Sequence, residues 1–314
     1  MSQRKIIVLT PVKNEAWILD LFLRVSSQFA DAIILADQFS TDNSREIAGK
    51  YPKVVLIEND DPTFSNDYRQ ALLLKTARSL YDGINIILAI DADEILSADS
   101  LKASEEWAKM QVAEVGSVFY FEKPELYGSP SRTIRRNNDY PMGFVDDGTI
   151  VHIAKKVHSI RVPLLEGHQK YNFEKLKFLH ASYLRPEAQR AKYRFYSVKE
   201  NLLGTSPWYR RRRRYRNPNH LLRWEPVTDS DPNWFEYPEQ LEINFEEIDE
   251  EINSWHNDSV LEALTEKGSF YFWFDDIWDM DWKKYGKSKN INRTIIGPPF
   301  VLRWLLSLSD KFNK

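Results

Sequence analysis

Four short β-branched apolar runs in the first hundred residues, each parted from the next by a helical pattern, constrain the fold of this 314-residue chain more than any other feature. The runs are Lys5–Thr10, Ala32–Ala36, Val54–Glu58 and Ile84–Ile90. Apolar at successive positions and only five to seven residues long, they suit strands buried on both faces of a parallel sheet. Between them, Ile18, Phe22, Val25 and Phe29 recur at helical spacing, as do Leu73, Ala77 and Leu80, and Asn43–Tyr51 forms a shorter helical stretch with Asp42 placed to cap it. The alternation predicts a doubly wound α/β sheet with right-handed crossovers. In such a sheet, ligands sit beyond the carboxyl ends of the strands.

After Asp99 the alternation weakens. Gly116–Phe121, Arg132–Arg136, Thr149–Val157 and Lys175–Leu179 read as strands in a more mixed arrangement. A helix follows with Ala188, Ala191, Phe195, Val198 and Leu202 on one stripe, then an aromatic, charged and proline-punctuated stretch over 204–290. Pro298-Pro299 opens a final amphipathic segment with Val301, Trp304, Leu305 and Leu308 on one side. The expected organisation is a nucleotide-binding half over 1–100, a second half of the same domain over 101–203, and a C-terminal extension over 204–314.

The strand ends carry the chemistry. Strand one runs into Thr10-Pro11-Val12-Lys13-Asn14-Glu15, strand two into Asp37-Gln38-Phe39-Ser40-Thr41-Asp42, and strand four into Asp91-Ala92-Asp93-Glu94. No glycine follows strand one, so this is not the turn that cradles a dinucleotide pyrophosphate. A pair of carboxylates offers another route, because hard oxygen ligands hold a divalent cation that in turn grips phosphates. The tripeptide D-x-D is weak by itself: it occurs at Asp91/Asp93, Asp229/Asp231 and Asp279/Asp281. Only the first follows a buried strand of the alternating region, and an acidic turn capping a helix at Ser97–Met110 is its plain structural alternative.

In order and spacing, TPVKNE, ILADQFSTDNS, the Arg69-bearing helix and IDADE resemble glycosyltransferase family 2, over about residues 1–100. The resemblance implies a GT-A fold: a Rossmann-like, mostly parallel sheet flanked by helices, with a mixed acceptor-side half and here a C-terminal aromatic and helical extension. It implies transfer of a sugar from a nucleotide-sugar, a UDP-sugar by default, to a glycan or lipid-linked acceptor, with inversion and with Mn²⁺ or Mg²⁺ as cofactor. Carried over by residue, it places Thr10, Pro11, Glu15, Asp37, Arg69 and Asp91 at the nucleotide and Asp93 at the metal. Gln38 departs from the commonest pattern, which has a second acid there.

Some bacterial branches of the family, acting on envelope or capsular glycans, carry D-A-D-E and then an H-x-S element before a basic helix. Leu179-His180-Ala181-Ser182-Tyr183, followed by Arg190-Ala191-Lys192, is similar, and it makes His180 a further metal ligand or else a hydrogen-bonded structural histidine. The family's usual base motif, an E-D pair followed by Q-x-x-R-W, is not recognisable. Its best substitute is the glycine-bracketed Gly143–Gly148 turn, with Asp147 preferred over Asp146 as general base; a turn whose aspartates bond their own backbone is nearly as good an account.

Charge and composition narrow the alternatives. A net charge of −3 excludes a polycation built for nucleic acid. It also conceals segregation: Arg185–Trp224 holds 12 basic and 2 acidic residues, Glu225–Trp282 holds 1 and 18. The Arg210–Arg214 run therefore either serves anionic acceptors or a membrane surface, or pairs with the acidic block beside it, and adjacency favours pairing. The clustered tryptophans suit sugar stacking or a small aromatic core. The absence of cysteine leaves oxygen and imidazole as the metal ligands. With no signal-peptide pattern and no spanning run, the expected location is cytoplasmic, with at most peripheral contact at the inner membrane face. The competing functions are a nucleotidyltransferase, which usually needs a glycine-rich basic loop that TPVKNEA lacks, and a non-catalytic carbohydrate-binding or scaffold protein on a decayed transferase fold.

Overall fold

A computed structural model describes residues 3–63, 65–135, 139–216, 226–236, 245, 255–291 and 293–312. It forms two compact units: residues 1–184 with 226–250, and residues 185–225 with 251–314.

The first unit is built on β1 (Ile6–Val12), β2 (Ala32–Asp37), β3 (Val54–Glu58) and β4 (Asn85–Ala89), parallel in the order β3-β2-β1-β4. The apolar runs become strands because alternate residues have a core to enter on either face. Ile6, Val8, Ile33, Leu35, Ile86 and Leu88 pack on one side with Ile18, Leu19, Phe22 and Val25 of α1 (Ala16–Phe29). Ile7, Leu9, Ile34, Ala36 and Ile87 pack on the other with Leu73, Leu74 and Ala77 of α3 (Asn66–Leu80). The second helix, α2 (Ser44–Ala48), is short, and Asp42 accepts from the Ser44 amide at 3.0 Å as the sequence suggests. The doubly wound α/β expectation is met.

Beyond β4 the sheet becomes mixed. After β5 (Glu94–Leu96) and α4 (Ser104–Val112) come β6 (Val118–Glu122), β7 (Glu125–Leu126), β8 (Arg132–Ile134), β9 (Tyr140–Asp146) and β10 (Lys170–His180). β9 lies antiparallel between β4 and β6, while β6 and β10 are parallel. The strand β9 was not legible, because Gly143–Gly148 read as a glycine-bracketed turn. Gly143 is instead required by close packing, since a Cβ there would stand 2.5 Å from Leu88 Cδ2 and 3.1 Å from the Ile87 carbonyl. Conversely, the strand expected over Thr149–Val157 is absent. Residues 147–169 form one long irregular segment, with Val151 and Ile153 exposed. Arg136, the end of another expected strand, lies outside the described residues.

The second unit packs α5 (Pro186–Leu202) against α7 (Trp255–Lys267), with α6 (Trp208–Arg214), α8 (Trp282–Ser288) and α9 (Phe300–Phe312) completing it. Its core gathers Val198, Val260, Leu261, Leu264, Phe272, Ile277 and Trp282. Opposite charges lock it internally. Arg211 donates to the fully buried Asp275 at 2.7 Å, Arg214 pairs with Glu200 at 2.5 Å, and Arg190 and Arg194 both hold Asp279 at 2.7–2.9 Å. Arg210 and Arg213 remain exposed. Much of the acidic block, residues 237–244 and 246–254, lies outside the described residues.

Burial alone would raise the Asp279 carboxyl, but Arg194 and Arg190 outweigh it and hold it well below the usual carboxylate range. A depressed folded value contributes stability above the unfolded value of about 4 that is lost as pH falls through that value toward the folded one. Asp279→Asn should therefore destabilise the second unit at neutral pH. It should also make unfolding less acid-dependent between about pH 4 and pH 2 than in the wild type, as read by urea titrations followed by circular dichroism. An unchanged acid dependence would remove Asp279 from the account.

Candidate active site

The register aligns the ends of the parallel strands. Val12 of β1 stands beside Asp37 of β2, which stands beside Glu58 of β3, and Ile90 donates to the Leu9 carbonyl, so the Asp91–Glu94 turn opens at the same edge. Two loops are knitted together there. Asn14, at φ 57°, accepts from the Thr41 amide at 2.7 Å, the Asn14 amide donates to Ser40 Oγ at 2.8 Å, and the Glu15 amide donates to Ser44 Oγ at 2.9 Å.

Within this frame Asp37 is buried. Its Oδ2 accepts from Arg45 Nη1 at 3.0 Å and from the Ser40 amide at 3.3 Å, while its Oδ1 has no partner among the described residues. Thr10 Oγ1 and Asn59 Nδ2 are likewise buried and unpartnered. Unmet buried polar atoms cost on the order of 1–3 kcal/mol each, and three of them stand at this sheet edge. Glu15 Oε2 accepts from the Trp17 indole at 2.7 Å. Gln38 donates to the Asp61 carbonyl at 2.5 Å, a bond an ionised acid at that position could not make.

The Asp91–Glu94 turn is an ionic cluster. Glu94 is buried and receives Arg161 Nη1 at 2.5 Å, Arg161 Nη2 at 3.0 Å, Lys123 Nζ at 3.0 Å and the Asp91 amide at 2.9 Å. Burial resists its charge, but Arg161 and Lys123 outweigh that and hold the carboxyl well below the usual range. Arg161 also pairs with Asp91 and, from the irregular 147–169 segment, roofs a cavity of about 30 Å³. Pro11, Arg69, Asp91 and His152 line the same cavity.

Asp93 and His180 meet: His180 Nε2 lies 3.4 Å from Asp93 Oδ2, and its Nδ1 bonds Glu125. Burial would lower the His180 pKa, but Glu125 and Asp93 prevail and push it up to about 9, so in the free protein the imidazole carries a proton. Among the described residues no three His, Asp or Glu side chains are gathered as a complete metal site. Once the imidazole has given up that proton, the pair has the spacing of two ligands of one ion. Adjacent ligands of an octahedral ion at about 2.1 Å stand roughly 3 Å apart, and Mg²⁺ commonly takes one or two protein ligands with the rest from phosphate and water. Glu125 behind the imidazole is the carboxylate–histidine arrangement that orients metal-binding histidines.

The structure thus brings Thr10, Pro11, Glu15, Asp37, Arg69, Asp91, Asp93 and His180 to one edge of the sheet. It does not bring Asp146 and Asp147, and the expected general base is corrected. Asp146 pairs with Asn85 at the start of β4; six residues of strand rise put it roughly 20 Å from Asp91. Its carboxylate is held by Arg78 through Nε at 2.9 Å and Nη2 at 2.7 Å. Asp147 accepts from the Thr149 amide and hydroxyl at 2.9 and 2.8 Å, the self-bonded turn that was its alternative. The other D-x-D pairs are structural too: Asp231 and Asp281 cap helical turns and Asp279 holds two arginines. Arg161 and Lys123 were missed, since a lone basic residue in an irregular stretch carries no motif.

The family model for glycosyl transferase family 2 matches residues 7–168, which run from β1 into the 147–169 segment. No curated protein matches the sequence. Among solved structures the chain is similar to glucosyl-3-phosphoglycerate synthase from Mycobacterium tuberculosis in complex with Mn²⁺, uridine diphosphate and glucosyl-3-phosphoglycerate. Identity is 17% over 39% of this chain and 44% of that one, with a TM-score of 0.29. It is similar as well to HddC from Yersinia pseudotuberculosis (12% identity, 56% and 93% of the two chains, TM-score 0.35) and to a 4-diphosphocytidyl-2C-methyl-D-erythritol synthase (16%, 46% and 76%, 0.31). The match spans less than half the length of the first of these.

Removing one member of a buried ion cluster costs more than removing the cluster, about 3–5 kcal/mol, because the rest are left uncompensated. Glu94→Gln should lose stability of that order in urea denaturation at neutral pH, and a loss below about 1 kcal/mol would mean the cluster is solvated.

Proposed function

The chain belongs to glycosyl transferase family 2, and from that premise we propose that it transfers a sugar from a nucleotide-sugar, a UDP-sugar first, to a hydroxyl of a glycan or lipid-linked acceptor, with inversion. The observation that carries this is the convergence, at one sheet edge, of unpartnered Asp37 Oδ1 and Thr10 Oγ1 with the Asp93–His180 pair. A pyrimidine base has an N–H to give Asp37 Oδ1. The ribose hydroxyls suit Thr10 and Asp91, and Pro11 and Arg69 flank the same cavity.

In the transfer, the bond between the anomeric carbon and the diphosphate oxygen breaks, and its electron pair leaves with the diphosphate. The acceptor oxygen bonds the anomeric carbon from the opposite face, and its proton passes to solvent water. Stabilising the leaving charge is the demand on the protein, and fixed cations aimed at that charge meet it. Asp93 and His180 would hold Mn²⁺ or Mg²⁺, which when bound neutralises the diphosphate. Arg161, held in place by Glu94 and Asp91, is a second positive group lining the same cavity. Residues 1–100 supply the nucleotide-sugar half in this scheme, and 101–203 the acceptor-side half.

Asp93→Ala should lower metal-dependent transfer or donor hydrolysis by about 100-fold, the scale of losing one preorganised charge-stabilising group. Asp37→Ala should weaken UDP binding by about 10-fold or more in calorimetry, the worth of a hydrogen bond to a charged group. Full activity of Asp93→Ala, or no nucleotide binding by the wild type with Mn²⁺, would overturn the assignment. A nucleotidyltransferase would instead release pyrophosphate from a nucleoside triphosphate, and a scaffold would show no thermal shift with any UDP-, GDP- or dTDP-sugar. Proton NMR of the new anomeric centre reads inversion directly.

A further inference from the structure

The second unit presents an apolar face that nothing among the described residues covers. On α9, Phe300 is 81% exposed, Val301 64%, Trp304 54% and Leu305 51%, and of its described side chains only Leu306 is fully buried. Further exposed apolar side chains lie off the helix. The Trp273 indole donates to the Ile296 carbonyl at 2.9 Å, which sets exposed Ile296 near Phe270, whose ring lies 4.4 Å from that of Trp273 and is itself exposed. A soluble surface seldom leaves so many large apolar side chains together without an occupant.

The occupant is indicated by charge. Immediately before this face, α8 exposes Lys283, Lys284 and Lys287, and α9 adds Arg303. No carboxylate pairs with any of the four among the described residues; Asp281 is spent on the Lys284 amide, and Lys289 turns instead to Asp258 at 3.0 Å. A Cβ added at Gly286 would stand 3.5 Å from Ile295 Cδ1, so α8 lies close against the segment that leads into α9. Two copies meeting through this face would bring eight such cations together, which disfavours self-association. A bilayer with anionic headgroups has the complementary sign, and Trp and Phe favour its interface. Crossing is not available: 13 residues of helix rise about 20 Å against roughly 30 Å of hydrocarbon.

We propose that this face docks peripherally on an anionic lipid bilayer. Phe300, Val301, Trp304 and Leu305 enter the interface, and Lys283, Lys284, Lys287 and Arg303 meet the headgroup phosphates. The assignment needs neither nucleotide nor catalysis, so it stands or falls apart from the transferase assignment.

The test is co-sedimentation of the full chain with vesicles of phosphatidylcholine alone and with about 30 mol % phosphatidylglycerol, at low and high salt. Binding is expected only to the anionic vesicles, weakening as salt rises. Trp304→Glu/Leu305→Gln should cut the partition coefficient by about 10-fold or more. Lys283→Gln/Lys284→Gln/Lys287→Gln should cut it by about 100-fold, at unchanged circular dichroism and melting temperature. No binding to either vesicle, or equal binding by both variants, would overturn the proposal. So would sedimentation velocity showing a dimer that Trp304→Glu/Leu305→Gln dissolves without lipid.

Discussion

An ionised carboxylate inside a protein must bring its own cations, and the first unit is organised around meeting that need at Glu94. Desolvation is the largest influence on the group, and it is answered by Arg161 and Lys123 arriving from segments distant in sequence. The same carboxylate accepts the Asp91 amide, so the turn that aims Asp91 and Asp93 is shaped by it. Replacing such a cluster with apolar residues often costs a protein little. Its retention at a ligand edge fits a positional role: it pins the mouth of the site to the end of β4.

How much of this could be read from the chain varied with the range of the interaction. The four parallel strands were plain, because burial on both faces writes itself as consecutive apolar residues. Asp37, Asp91 and Asp93 were plain because their strands end at one edge. His180, nearly ninety residues after Asp93, was legible through its own short element. By contrast β9 was hidden by Gly143, whose meaning depends on Leu88 lying across the pair. Asp146 looked free for catalysis only because Arg78, 68 residues earlier, is invisible to local inspection. Arg161 was hidden for the same reason: its importance is a property of Glu94.

In the second unit, charge segregation along the chain becomes charge pairing in space. Arg211 and Asp275, Arg214 and Glu200, and Arg190, Arg194 and Asp279 take basic groups from one stretch and acids mostly from the next. A near-zero total charge is the sum of these local cancellations. The arginine run is divided by helical geometry, with Arg211 turned inward and Arg210 and Arg213 outward. Burying the aromatic rings of Phe272 and Trp282 beside such pairs lowers the local dielectric and makes each of them count for more.

The segment from 147 to 169 leaves one end of the sheet beside Asp146, runs along α3 through His152 and Gln70 and through Lys156 and Asn66, and delivers Arg161 to the other end. It has an implication for the order of synthesis. A nascent chain that has emerged as far as residue 100 holds β1 to β5 and the loops at their ends. It holds Glu94 without Lys123, without Arg161 and without the β10 strand that pairs with it, and Asp93 without His180. The ionic edge around Glu94 is therefore finished only when β10 adds to the sheet, and until then the early loops await the later half of their own polypeptide.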